Sequence, residues 1–559
     1  MGNEAMTHQR NALGSGNSLN TGSSRRQFLR GLGIAASLAA TGIPFQVQAA
    51  EDGRLLRLTG TVGDPDPHRA TDIPGSILMF NLYDFLVRPA QGGQILPALA
   101  ESWSTSEDGR AYTFALRNDV VFHDGAKLTA ADVVFSLNRI KTMKRGFSAL
   151  FDFVESVESS GDYEVVFRLR EPYSPFLSSL TRLAIVNSAL IRANLADGQY
   201  GDMKDYGQAF LGQADAGSGP YTLAQHNPQQ ETVLNLYPSY HLKLAEDVPS
   251  EVRTLYSIDP ATVRTIASRG ELELTRVSLP PEILASLARL DGVKLGQDRG
   301  TDMMQFKLNM MKAPTDDLEF RRAVSLGFNY EALYSLLDIA GVSSGIPARG
   351  PIPQGAMGYS QDVPIMKRDL DGAKAALARS KYAGDGAPPL TVLWASEFAQ
   401  VQKYALLFQS SMAEVGIKVE LSPAPWAQYQ KMITTAETTP NVCMLYVGLT
   451  TPDIDSLFWP TYHSSAAGTY NSMQWLQSPE IDEALERGRE ILDPTARTKH
   501  YQELAKKISD LYPAIFAYDR INVVAMNKRL KAPALEDLNQ SIPVWGGNYQ
   551  FRMMDISRA

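Results

Sequence analysis

A single cysteine, Cys443, stands in 559 residues, so no disulfide closes within the chain. Flanked by Val442, Met444 and Leu445, it reads as a small buried hydrophobe. Histidine is nearly as scarce: His8, His68, His123, His226, His241, His463 and His500 are scattered. With neither an HExxH nor a CxxC pattern, the sequence offers no metal-ligand cluster and implies no cofactor. A phosphate-cradling loop is also missing, because the only GxG near a helix, Gly31-Leu32-Gly33, falls close to the N-terminus. Basic charge is in deficit. The formal net charge is −8, and the first fifty residues hold four of the 53 basic side chains but one of the 61 acidic ones, which leaves the remainder at −11. Such a body is a poor match for nucleic acid or anionic lipid, both of which demand a basic surface. Sustained heptads are absent as well.

What is present is an ordinary soluble composition, 44% hydrophobic and 20% charged, on a chain too long for one comfortable core, so at least two domains are expected. Residues 1–23, rich in Gly, Ser and Asn, read as disordered. Ser24-Arg25-Arg26-Gln27-Phe28-Leu29-Arg30 then precedes a weakly apolar run, 31–43, and Val47-Gln48-Ala49. A charged start, an apolar stretch too short to span a bilayer and a small-residue junction are the parts of an export signal, cleaved near Ala49-Ala50. The paired arginines resemble a twin-arginine signal, a receptor-read address that makes the Tat export machinery a partner. An arginine pair ahead of a buried helix is the plain alternative. No cysteine stands at that junction, so a free periplasmic protein without a lipid anchor is expected.

The stretch 98–139 carries the most legible structure. Residues 106–109 read as a turn, after which Tyr112, Phe114 and Leu116 alternate with Thr113, Ala115 and Arg117 as in a half-buried strand. A second turn falls at Asp124-Gly125. Thr129 and Asp132 form a capping box ahead of a helix with Val133, Leu137 and Ile140 on one face. Tyr163, Val165, Phe167 and Leu169 repeat the alternation, and an antiparallel pairing with 112–116 is expected. In its literal residues 98–139 resembles the signature of the family 5 solute-binding proteins of ABC importers, which includes dipeptide-, oligopeptide- and nickel-binding proteins. The resemblance runs through nearly the whole mature chain.

Gly217-Ser218-Gly219-Pro220-Tyr221 matches the family's GSGPY, a tight turn leading into a strand that 222–236 continues. Ser218 is not expected to be catalytic, since no histidine or acid is locally placed to activate it. Residues 302–310 alternate Met304, Phe306 and Leu308 against Met303, Gln305, Lys307 and Asn309; in the family this strand follows a hinge crossing and opens the second large domain. In the helix of 317–329, Arg321 and Arg322 read as a solvated face, and Asn329-Tyr330 replaces the family's aspartate and basic residue. Gly341-Val342-Ser343-Ser344-Gly345 satisfies the hydrolase GxSxG pattern. That elbow needs a strand before and a helix after, whereas 330–340 reads as helix and IPARGPIPQG cannot be one, so the match is coincidental.

A ligand position follows from the next segment. Residues 390–394 read as a strand. The helix 397–415 carries Val401, Tyr404, Phe408, Met412 and Val415 on one face and ends at Gly416. Residues 417–421, 426–432 and 442–447 then read as strand, short helix and strand. This βαβαβ run implies a parallel sheet, and ligands of open α/β sheets bind beyond the carboxyl ends of the strands. Ala395-Ser396, 423–426 and 448–455 lie at those ends, which nominates Trp426, Thr450, Thr451 and Asp453. The resemblance converges there: in peptide binders the loop at 448–455 carries an aspartate that pairs with the peptide's α-ammonium. Thr450 stands at that position, which tells against a free amine as the recognised group. A shifted register gives the role to Asp453, and helix capping is the plain reading of both Asp453 and Asp455. Tyr470, Asn471 and Trp475, in a loop near the family's cleft, offer stacking faces and hydrogen bonds. Pro65-Asp66-Pro67-His68 matches the last three residues of the family's cleft element LDPH, though a proline-stiffened turn explains it equally. Met303, Asp66 and His68 complete the candidate set.

Taken together these features imply an α/β, two-domain periplasmic binding protein fold (type II, cluster C-like) with an extra lobe inserted in the first domain and a hinged ligand cleft. The expected divisions are an export signal at 1–49, domain I at 50–87, 184–298 and 515–559, the lobe at 88–183 and domain II at 299–514. Helices starting at Ser478-Pro479 and Asp493-Pro494 are expected to pack as a hairpin. The implied function is capture of a small polar solute, a di- or oligopeptide or related compound, for an ABC membrane permease by a monomer. A secreted hydrolase and a permease-independent peptide-binding chaperone are the alternatives.

Overall fold

Thr129 and Asp132 start their helix as their chemistry dictates: the Asp132 carboxylate accepts from the Thr129 backbone N–H at 3.0 Å, closing the capping box on Ala130–Met143. In this computed structural model, which describes residues 53–557 apart from 257, 276–278 and 385, Val133, Leu137 and Ile140 are buried as their spacing requires. Each such burial is worth about 1.5–3 kcal/mol. The chain divides after Ala49. The expected export signal, its cleavage junction and the stretch before it lie outside the described residues.

Three larger sheets organise the unit that begins at Ala50. In the first, Leu55–Gly60 pairs in parallel with Glu251–Tyr256, which continues antiparallel through Glu231–Leu236 to Tyr221–Asn227. The stretch expected to run on from GSGPY is thus a hairpin, with Thr222 opposite Asn235. The second sheet is antiparallel, in the order Ala100–Thr105, Ala111–Leu116, Glu164–Leu169, Val154–Ser159. Tyr112 faces Phe167 and Phe114 faces Val165, the pairing expected. The capped helix shares its core.

The third sheet has six strands, in the order Gly345–Pro347, Ala514–Asn527, Val293–Leu308, Val442–Gly448, Leu390–Ala395, Val419–Ala424. Leu390–Ala395 runs parallel to both Val419–Ala424 and Val442–Gly448, as the βαβαβ reading requires. Helix Ala399–Val415 covers one face and ends at Gly416, whose φ of +94° suits a residue without Cβ. Val293–Leu308 and Ala514–Asn527 pair along nearly their whole length, with a register break between Arg299 and Met303. The far end of this ribbon reaches the first sheet through Leu274, which bridges both Leu58 and Met526. Ser478 and Asp493 cap Pro479–Glu490 and Pro494–Asp510 as expected.

Several local readings are corrected. The apolar run 77–87 reads from sequence as a short helix, but the helix is Ile73–Leu82, because the Asp72 carboxylate caps Gly75 N–H at 2.8 Å and Pro74 stands in the first turn, and the chain extends from Tyr83. The helix expected over 330–340 stops at Ser335, and Asp338–Ile339 folds back on Val342–Ser343 as a small hairpin. Residues 303–309 are buried on both faces, Gln305, Lys307 and Asn309 included, because helices cover both sides of the third sheet. Arg321 is not a solvated residue. It is buried and donates to the carbonyls of Leu511 and Thr315 at 3.0 and 2.9 Å, whereas Arg322 is exposed.

Candidate ligand-binding site

At the carboxyl ends of the parallel strands, Trp426 begins the short helix Trp426–Met432, and its N–H donates to Glu397 Oε1 at 2.8 Å. The Trp426 ring stacks on Tyr429 with centroids 5.2 Å apart and meets Tyr470 edge-on at 6.3 Å. Trp426 and Tyr470 are 36% and 38% exposed, so this pair is an aromatic platform open to solvent. Glu397 also lines a cavity of about 250 Å³, together with Gln400, Tyr404, Tyr446, Tyr518 and Arg520. Tyr518 Oη lies 3.0 Å from Tyr404 Oη and 2.7 Å from Tyr446 Oη, and the Arg520 guanidinium sits 4.6 Å over the Tyr446 ring. Aromatic walls with polar tips and a cation suit a small polar solute.

The loop 448–455 is tied down from several directions. Thr451 is buried, and its carbonyl accepts from Ser456 Oγ at 3.1 Å. Both Asp453 oxygens pair with Arg497, at 2.6 and 2.9 Å, and Asp455 pairs likewise with Arg489 at 2.7 and 3.0 Å. Thr450 offers its carbonyl to Arg182 Nε at 2.6 Å. Arg182 is fully buried, donates through Nη1 to Ser76 Oγ (3.1 Å) and the Trp545 carbonyl (3.3 Å), and lies over Phe147 at 4.6 Å. Burial alone lowers it to about 9, since the apolar surroundings disfavour its charge. The Trp545 indole N–H donates to Asp302 Oδ1 at 3.2 Å, and Asp302 also pairs with Arg520 at 3.5 Å. A chain of polar contacts therefore runs from Arg182 to the cavity.

The remaining candidates lie elsewhere. Asp66 and His68 are fully buried around Arg139, whose Nη1 and Nη2 donate to Asp66 at 2.8 and 2.7 Å and whose Nη1 also donates to His68 Nδ1 at 3.0 Å. His68 Nε2–H reaches the Ala184 carbonyl at 2.9 Å, so the ring is neutral, and burial followed by the Arg139 charge brings it down to about 4. Met303 is buried in the core on the helical-hairpin side of the third sheet. Asn471 follows Tyr470, and Trp475 sits by the start of Val442–Gly448. The Asn471 carbonyl accepts from Lys307 Nζ at 2.6 Å, and Trp475 Nε1 donates to Thr439 Oγ1 at 2.9 Å. Lys307 pairs with Cys443, near that strand's start, and burial lowers its ammonium to about 7. Trp426 and Tyr470 thus meet, with Asn471 next to Tyr470 in the chain; Thr450, Thr451 and Asp453 belong to the tied-down loop after Val442–Gly448, and Trp475, Met303, Asp66 and His68 make their contacts elsewhere.

Arg182, Arg520, Asp302 and Trp545 are the residues that sequence reasoning misses here. Only Arg182 leaves a sequence signal, a lone cation in the apolar run 176–186. Ser218 does find an acid, from a distant part of the chain: its hydroxyl donates to Asp84 Oδ2 at 3.0 Å. The serine is buried and bonds the carboxylate directly, which is not the order of a nucleophile, base and orienting acid.

Comparison with known proteins bears on the fold and the family. A probable D,D-dipeptide-binding periplasmic protein, DdpA of Escherichia coli, is 27% identical over 526 residues, spanning 90% of this chain and 96% of its own. DppA from Helicobacter pylori, solved in complex with the peptide STSA, superposes with a TM-score of 0.71 at 21% identity, covering 90% of this chain and 97% of that one. AgaA from A. tumefaciens R10, solved with agropinic acid, gives 0.70 at 23% identity, covering 90% and 99%. Both structures share the α/β fold of periplasmic binding proteins, as the sequence resemblance implied. Residues 94–469 match the model of the middle part of the bacterial extracellular solute-binding proteins, family 5, and the chain belongs to that family.

Proposed function

We propose that this solute-binding protein captures a small polar solute, a di- or oligopeptide or a related compound, between two domains and delivers it to an ABC permease. The observation that carries this reading is the cavity of about 250 Å³ at the strand ends, with Arg520 and the tyrosines on its wall and Glu397 linking it to the exposed Trp426–Tyr470 platform. The ligands in the names and titles of the three relatives, a D,D-dipeptide, the peptide STSA and agropinic acid, support a polar solute of this size. In this reading 50–87, 184–298 and 515–559 form one domain, 299–514 the other, and 88–183 the added lobe. The paired strands Val293–Leu308 and Ala514–Asn527 are the crossings, with the register break at Arg299 and Met303 as the flexing point. Ligand affinity for the closed form shifts the open–closed equilibrium, which the permease reads.

The protein works as a monomer without catalysis, after export through the Tat machinery on Arg25-Arg26. Native mass spectrometry of protein purified from its own host tests the central claim. A retained peptide or related solute, released on unfolding and bound again with a melting-temperature rise, is expected. Hydrolytic turnover of such a solute refutes the receptor reading.

A further inference from the structure

Pro172 and Pro175 bracket Tyr173-Ser174 and stiffen the pair, and both residues reach across to 299–514. The Ser174 N–H donates to the Arg489 carbonyl at 2.8 Å, and its hydroxyl reaches the Arg489 and Ile491 carbonyls at 2.6 and 2.7 Å. Those carbonyls stand at the end of helix Pro479–Glu490, where the last turn lacks partners of its own. Tyr173 Oη donates to Asp455 Oδ2 at 3.4 Å, and its ring stacks on Phe153 with centroids 4.1 Å apart. Arg489, already paired with Asp455, lies 3.3 Å over the Trp459 ring, with the Phe153 and Tyr173 rings at 5.3 and 5.6 Å. A guanidinium of one body is thus clasped by rings of both.

Burial decides which side of this contact is fixed. Phe135, Met143 and Phe147 of the lobe sink into the apolar core that 50–87, 184–298 and 515–559 build, which joins the lobe to that domain. Among the described residues no buried apolar cluster joins the lobe to 299–514; Leu492, 43% exposed, rests against Gly109 at the rim. Polar contact without a shared apolar core is the mark of surfaces that part and rejoin. We infer that the added lobe is a latch: Ser174 and Tyr173 engage the Arg489–Asp455 pair when the two domains close, and this contact holds part of the solute-free protein closed. Asp455 stands at the end of the loop 448–455, so the latch bears on the candidate site without touching a solute. Because the solute binds the closed form, closed population lost at the latch weakens its apparent affinity by the same factor. This consequence for affinity rests on the receptor reading; the latch itself does not.

The test reads the latch before any solute is added. Cys443 is buried, so spin labels on Glu158→Cys in the lobe and Lys499→Cys opposite, both exposed positions, report one distance by double electron–electron resonance. The full chain is unfolded and refolded before labelling to strip any retained solute. With Ser174 and Tyr173 intact, a short and a long distance are expected. Ser174→Ala lowers the short-to-long ratio about three- to tenfold, the effect of one hydrogen bond; Ser174→Thr, which keeps the hydroxyl, restores most of it, and Tyr173→Phe shifts it the same way by less. A short population equal with and without the Ser174 hydroxyl, its absence from both included, overturns the latch. Should Ser174→Ala not fold, Tyr173→Phe decides by the same ratio. L-alanyl-L-alanine is then added as a separate arm: a rise in the short population supports the receptor reading, and no rise counts against a dipeptide solute while the solute-free ratio still decides the latch.

Discussion

Replacing Arg139 by methionine removes the cation from the buried group it forms with Asp66 and His68. Arg139 and Asp66 are both fully buried, and the fork meets both carboxylate oxygens, at 2.8 and 2.7 Å. Methionine fills much of the arginine stem's volume but leaves Asp66 charged and unpaired. Breaking one side of a buried pair costs about 3–5 kcal/mol. A unit of about 500 residues has an unfolding entropy near 1 kcal/mol/K if it melts cooperatively, so the melting temperature falls by about 3–5 °C. Circular dichroism melts at pH 7.5 measure this, and Asp66→Asn added to Arg139→Met is expected to recover at least half of the loss.

The pH dependence makes the test sharper. Burial and then Arg139 bring His68 down to about 4, against about 6.5 in an unfolded chain. On acidification the unfolded chain therefore takes the proton first. The His68 contribution is full above pH 6.5 and is lost between 6.5 and 4, by up to about 3 kcal/mol. Without Arg139 one depressing cause is gone, and an imidazolium forming beside Asp66 supplies the missing counter-charge. The deficit of Arg139→Met should therefore shrink between pH 7.5 and 5. A deficit below about 1 kcal/mol, or one that stays constant over that range, refutes this account of the network.

Asp519 titrates in the opposite sense: burial lifts it to about 7, so its contribution is present at low pH and is lost as pH rises toward 7, roughly 4 kcal/mol by pH 8. Asp519→Asn keeps an acceptor for Gln354 N–H, now 2.9 Å from the carboxylate, and should raise the melting temperature markedly at pH 8 and little at pH 5; equal gains at both count against it. Any Cβ at Gly217 lands on the Leu82 carbonyl, so Gly217→Ala is expected to cost about 3 kcal/mol or more, and an unaltered melt and soluble yield would contradict that packing. Trp426→Ala removes a ring 36% exposed and stacked on Tyr429 and should cost about 1–2 kcal/mol of stability while weakening the solute retained from the host at least about tenfold by calorimetry; unchanged affinity removes the platform from the site.

Features set by chemistry within about four residues are legible in this chain. The Thr129–Asp132 box, Gly416 and the Ser478 and Asp493 caps all stand where their residue types put them. The pairing of Ala111–Leu116 with Glu164–Leu169 follows from two alternations separated by a helix. Helix Ile73–Leu82 is different, because Asp72 and Pro74 mark its start four residues before the apolar run 77–87 begins. There the cap outweighs the run, since it satisfies backbone donors that burial cannot. Alternation also misleads at 302–310, where Lys307 and Asn309 read as a polar face but helices on both sides bury them.

At the candidate site, the rule that ligands sit at strand ends is topological, and it nominates Trp426 and Thr450 because the βαβαβ connection is local. Whether a nearby charge is available to a ligand depends instead on partners far away in the chain. Asp453 looks free in sequence and is consumed by Arg497, 44 residues on; Asp66 is consumed by Arg139, 73 residues on. Arg182 is the converse case, a charge whose sequence neighbours are apolar and whose bonds, to Ser76, Trp545 and Thr450, are all to neutral oxygens. Fold stability rewards pairing such a cation with an aspartate, as it does for Arg139 and Arg497. Arg182 is held instead by three neutral acceptors drawn from positions 76, 450 and 545, contacts that no local pattern in the sequence announces.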